Sequence, residues 1–337
     1  VFINLLYLDN ELPLYFYPFL KSEYFFINWS LRLDLFVSGL ILIITLVGSI
    51  FTIYTINFYK DDKTYLNKIK FSSLLIFGSL TLVSSNNLIQ FFVGWQIITL
   101  SSYLIIYFSK KQNNFKDNGS VFLLNRLSDL SIFLCLYFLY SITNSVNFDV
   151  IFESNYLSKN IELNIFDFNF SNFEVILFAL FLSFLFRCKQ FFVQSSRYHF
   201  SKINTSTLAL LYSGIYLPSG IYFILRFLSL THTNYHFFKI ITLLGLVLII
   251  IFTLLFFTSK NLKSLALYVA CSQFSILIFL VGLKVYNAVF FYLLTSTLSV
   301  TMLFISFSII ITKLNGEHQI NKMGSLLIKT PTTFLFI

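Results

Sequence analysis

"LFVSGLILIITLVGSIFTIYTI", residues 35–56, carries no charged side chain. At ~1.5 Å of rise per residue a helix of this length reaches about 33 Å, enough to cross the hydrocarbon core of a bilayer. Similar runs recur along the chain. Of its 337 residues, 57% are hydrophobic and only 11% charged, a balance that excludes an ordinary soluble domain. Apolar runs near this length predict nine spans, at 35–57, 71–86, 88–108, 120–141, 173–191, 205–227, 237–258, 264–283 and 287–312. Residues 1–20 hold Asp9, Glu11, Pro13 and Pro18, which argue against a span or a signal peptide there. The longest polar stretch is 142–172, rich in Asn and Ser. The expected fold class is all-α: a polytopic membrane protein of about nine transmembrane helices with no soluble domain.

The connecting segments test this map. If every span crosses, 58–70, 109–119, 192–204, 259–263 and 313–330 share one side, with fourteen Lys/Arg and four acids. The other side collects 1–34, 87, 142–172, 228–236 and 284–286, with four Lys/Arg and eight acids. A cation excess on one side is the signature of topology, and a wrong span count would scramble it. The net charge of +9 therefore reflects orientation, with anionic lipids or partner subunits as neighbours. It is not a nucleic-acid-binding surface, because no basic element stands outside the membrane map.

Few residues offer redox or metal chemistry. Cys135, Cys188 and Cys271 all fall in spans without CxxC spacing, as small apolar packing residues do. His199, His232, His236 and His318 form no metal-ligand spacing. No nucleotide-binding glycine motif or nucleophile elbow is present, so redox chemistry associated with this chain must belong to a partner.

Ionisable groups inside spans carry more information, because they are costly in lipid and face a protein interior or a wet cavity. "LLNRLSDLSIF" places Arg126 and Asp129 three apart on one helix face, as a structural ion pair or part of a charge relay. "LFRCKQFFVQ" places Arg187 and Lys189 near a span end, where either can snorkel to the interface. Arg226 and Lys239 read as interfacial anchors, and Lys263 as either a helix-start residue or a proton-path member.

"FFVGWQIITLSSYLI", "LLNRLSDLSIF", "RCKQFFVQ", "NLKSLALYVACSQ", "FFYLLTSTLSVTMLF" and "EHQINKMGSLLIKTPTTF" follow one another in the chain. Their order resembles the antiporter-like subunit 5 family of NADH dehydrogenase, the distal membrane subunit of respiratory complex I. The resemblance covers roughly 24–337, with "INWSLRLDLFVSGL" and "VNFDVIF" as further points of likeness. It implies a mitochondrial inner-membrane location, and a complex that uses NADH, FMN, iron–sulfur clusters and ubiquinone, none of them held by this chain. The implied partners are other complex I membrane subunits, especially subunit 4, and membrane lipids.

Relative to that family the chain reads as the N-terminal part of a split subunit, completed by a separate C-terminal subunit 5 fragment. On this reading 1–34 is an intermembrane-space-side segment, 35–330 the antiporter-like domain and 331–337 the start of a further apolar segment. Heavy use of Phe, Ile, Tyr, Asn and Lys fits an AT-rich mitochondrial genome of a protist such as a ciliate.

The departures from the family concern its proton carriers. The family's Gly-Trp pair is followed by a Glu that carries protons; here that position is Gln96, whose amide does not titrate in this range. The family's central Lys aligns with Arg187, which keeps its proton. Lys189 lies two positions on, about 200° round a helix, and is no simple substitute. A family His aligns with Tyr212, and a His, His, Lys series with Tyr292, Ser296 and Val300. Arg126, Asp129 and Lys263 remain. The resemblance therefore predicts a membrane-arm subunit whose own proton path is weakened or lost. A competent module using Arg126, Asp129, Lys189, Lys263 and water held by Thr295 and Ser299 is the alternative, as is a cation/proton antiporter subunit outside complex I.

Overall fold

A computed structural model describes residues 12–21, 26–60, 65–109, 119–152, 162–165, 168–187, 203–227 and 235–324. The charge-free run that opens the sequence forms α1, Leu35–Tyr59. Asp34 precedes it in extended conformation, so the chain turns into the helix at the point where its apolar run begins. Helices α2 (Tyr65–Val83), α3 (Leu88–Ser109) and α4 (Gly119–Thr143) follow. A short α5 (Phe148–Phe152) leads to α6 (Asn172–Arg187), and α7 runs over 205–227. The described chain closes with α8 (Tyr235–Thr258), α9 (Leu262–Gly282) and α10 (Tyr286–Lys313).

Eight of these helices are long and apolar enough to cross a membrane. The ninth expected span, 173–191, is represented by α6, whose 16 residues reach only about 24 Å. Its last four positions, with Cys188 and Lys189, lie outside the described residues.

The all-α membrane fold expected from the sequence holds, with two short hairpins beside the helices. Residues Leu12–Lys21 (β1) and Phe26–Leu33 (β2) form an antiparallel hairpin, and Glu162–Ile165 (β3) pairs with Phe168–Ser171 (β4). The prolines that argued against a span at the N-terminus also disfavour a helix. The aromatic-rich run "LPLYFYPFLK" favours an extended pair instead. The register shifts between Tyr15 and Pro18, and again between Pro18 and Leu20, as expected where proline cannot donate to the ladder.

Burial orders the helices from the inside out. The most apolar window of α7 is 94% buried, whereas that of α8 is 22% buried. Thus α7 is the central helix, packed against α1, α10 and α6, while α8 packs on α9 and shows its other side outward. Ile240, Leu243, Val247, Ile250, Leu254 and Phe257 of α8 are exposed, the pattern of a helix facing lipid or another subunit. Within α7, Leu210–Tyr216 is π-helical, and every residue of that turn is buried. Such a widened turn rotates the following side chains and recurs at functional sites.

Connections at each end join segments assigned to the same side by charge. Leu31 bridges Ser85, and Asn87 bridges Asn147. At the opposite end Asn261 bridges Gln319, and the Lys263 ammonium donates to the carbonyl of Ile203 at 2.9 Å.

Candidate functional site

The buried charges gather where α3, α4 and α6 meet. Gly94 allows this approach: a Cβ there would stand 2.7 Å from the Leu82 nitrogen and 2.8 Å from its Cα. With α3 set close against α2, the next residue, Trp95, is fully buried. Its indole N–H donates to Asp129 Oδ1 of α4 at 3.0 Å. Its carbonyl accepts from Arg187 Nη2 of α6 at 3.2 Å, and the Arg187 guanidinium lies 4.4 Å from the centre of the indole ring. Arg187 is only 1% exposed, so its permanent charge is held inside the protein.

Asp129 is the carboxylate of this cluster. Arg126 Nη1 lies 3.1 Å from Asp129 Oδ2, the i, i+3 pair expected from the sequence. Arg126 thus pairs with Asp129 directly, while Arg187 is linked to it through Trp95. Gln96 accepts from Thr99 Oγ1 at 3.3 Å. Arg126, Asp129 and Arg187 therefore meet around Trp95, with Gln96 the next residue along α3. Arg126 differs from the rest: its side chain is 40% exposed and packs over Phe122.

The other described residues selected from the sequence have contacts of their own. Tyr212, in the π-helical turn, meets Tyr216 edge-on at 5.8 Å and stacks with Phe304 at 6.4 Å. Arg187 lies 5.8 Å from the Tyr216 ring, so α7 reaches the charge cluster through Tyr216. On α10, the Tyr292 hydroxyl donates to Gln273 Oε1, and Ser296 donates to the Leu293 carbonyl at 3.2 Å. Val300 is buried and contributes only packing. Thr295 and Ser299 are exposed on this chain, and both donate to carbonyls of their own helix. Lys263 sits in the first turn of α9 on the Ile203 carbonyl. Lys189 falls outside the described residues. No group of three or more His, Cys, Asp or Glu arranged for a metal occurs among the described residues.

A second charged cluster, not assembled by the sequence reading, ties the other end of the bundle. Arg226 Nη1 lies 2.6 Å from Asp34 Oδ2, and Arg32 Nε lies 3.8 Å from the same oxygen. Arg32 Nη1 also reaches Asp149 Oδ1 at 2.8 Å. Arg226, expected as an interfacial anchor, is also an ion-pair partner. The reason is geometric: it ends α7 beside the start of α1, where Asp34 supplies the opposite charge. A cavity of about 660 Å³ opens beside this clamp between Phe36, Phe152 and Tyr286. Sign complementarity across two segments mapped to one side was the signal that could have suggested the pair.

A bundle of membrane-length helices around a buried, charge-bearing core defines an antiporter-like membrane subunit. Solved structures agree on the fold: the archaeal membrane-bound sulfane sulfur reductase superposes with a TM-score of 0.77 at 19% identity, over 99% of this chain and 54% of that one. The Mrp complex from Dietzia sp. gives 0.72 at 17%, over 85% and 31%. Residues 85–337 match the NADH:quinone oxidoreductase/Mrp antiporter transmembrane family, and the chain belongs to that family. It is similar to NADH-quinone oxidoreductase subunit L of Rickettsia typhi, 28% identical over 94% of this chain and 48% of the relative. It is also similar to NADH-ubiquinone oxidoreductase chain 5 of Chondrus crispus, 26% identical over 97% and 49%. The chain thus spans about half the length of these curated relatives.

Proposed function

We propose that this chain is a core subunit of the membrane arm of respiratory complex I, at its distal end, with its own proton path weakened or lost. The carrying observation is the cluster at Trp95. A relay there needs a group that takes up and releases a proton beside the buried cation. Position 96 offers an amide, and the cation is an arginine, with Asp129 already engaged by Arg126 and Trp95. The arrangement suits a static, charge-compensated core better than a switch.

On this reading the assembled complex oxidises NADH and reduces ubiquinone, with FMN and iron–sulfur clusters held by other subunits. Its proton transport runs through its other antiporter-like modules. The subunit lies in the mitochondrial inner membrane, against subunit 4 and membrane lipids. Similarity to chain 5 and subunit L supports this placement over a free-standing antiporter. Purification of the tagged chain from solubilised mitochondrial membranes tests it. Co-purification with NADH:ubiquinone reductase activity is expected. Recovery in an assembly that lacks that activity but exchanges cations for protons would overturn the assignment.

A further inference from the structure

Trp95 contacts a charged side chain on each of two other helices. Its N–H serves Asp129 on α4, while its carbonyl and ring face serve Arg187 on α6. A residue needed only to fill volume has no reason to present three different surfaces to two opposite charges. A guanidinium on an indole face, with one of its N–H groups on the carbonyl of the same residue, is held in both position and orientation. Asp129 is held likewise, because its Oδ1 accepts the indole N–H while its Oδ2 meets Arg126.

We infer that Trp95 is a positioning residue: it seats Arg187 and links it to Asp129, so that Arg187 takes its counter-charge from α4 and not from position 96. This deepens the reading of a silent proton path and rests on it for meaning. The geometry explains why a neutral side chain is tolerated at 96. The counter-charge has moved one helix away, and the tryptophan backbone and ring bridge the two. Arg187 becomes a fixed structural cation, and α3, α4 and α6 are locked together through one side chain. Tyr216, 5.8 Å from the guanidinium, extends the seat to the central helix.

The test is a double-mutant cycle on the assembled membrane complex, read as the midpoint of heat-induced release of this subunit on native gels. That readout is independent of proton transport, so it can fail while the silent-path reading stands. Trp95→Leu is compared in the parent and in an Arg187→Met background. If Trp95 seats the arginine, Trp95→Leu lowers the midpoint by several degrees in the parent and by less than half as much once Arg187 is replaced. Trp95→Phe, which keeps an aromatic face for the guanidinium, loses less than Trp95→Leu in the parent. Assembly of Trp95→Leu only in the Arg187→Met background would support the inference most strongly. Equal losses in both backgrounds, or failure to assemble in both, would reduce Trp95 to packing and overturn it.

Discussion

Removing the Asp34 carboxylate probes how the ends of α1 and α7 are joined. Asp34 and Arg226 are 2.6 Å apart with side chains 18% and 11% exposed, and Arg32 approaches the same oxygen at 3.8 Å. Breaking a fully buried pair costs about 3–5 kcal/mol, and partial exposure lowers that to about 2 kcal/mol for Asp34→Asn. At about 2.1 cal/mol/K per residue, 337 residues give about 0.7 kcal/mol/K, so the melting midpoint should fall by about 3 °C. Arg226→Met should cost less, because Asp34 keeps Arg32. The double variant should be no worse than Asp34→Asn alone, since the two share one interaction. Thermal release of the subunit from the assembled complex measures all three. Strict additivity, or a larger loss from Arg226→Met than from Asp34→Asn, would refute the idea that Asp34 is the shared counter-charge.

Three further outcomes are expected. Gly94→Ala should cost about 1–3 kcal/mol by forcing α3 off the Leu82 backbone, seen as a lower midpoint, whereas Gly324→Ala, with open space around it, should be neutral. Lys263→Met removes the ammonium from the Ile203 carbonyl and should lower the same midpoint without changing the protons moved per NADH oxidised; a clear change in that ratio would make Lys263 a carrier. The cation excess places 58–70, 109–119 and 313–330 on the matrix side, so protease added from the intermembrane-space side of intact inner membranes should leave 109–119 uncut.

The span pattern was legible because a bilayer requires a length of apolar chain that few other structures require. The Arg126–Asp129 pair was legible because i, i+3 neighbours meet on any helix. Asp34 and Arg226 are 192 residues apart, and no local rule brings them together. The same holds for Trp95 and Arg187, 92 residues apart, where an aromatic residue in an apolar run gave no sign of its polar contacts. The N-terminal hairpin was missed because Pro13 and Pro18 exclude a helix without specifying a strand, and two strands must find each other before either is stable. The π-helical turn in α7 reflects how the central helix fits its neighbours and left no mark in hydropathy.

The central claim is that this module is silent in proton transport while remaining part of a working complex. Its most direct test is the proton-to-electron stoichiometry of the reconstituted complex, wild type against Asp129→Asn, on preparations matched for full assembly. Asp129 is the carboxylate that pairs with Arg126 and that Trp95 links to Arg187, so a working relay through this cluster would depend on it. The account predicts an unchanged ratio of protons moved per NADH oxidised, with the loss confined to thermal stability. A clear drop in that ratio in fully assembled complex, with NADH oxidation intact, would contradict it.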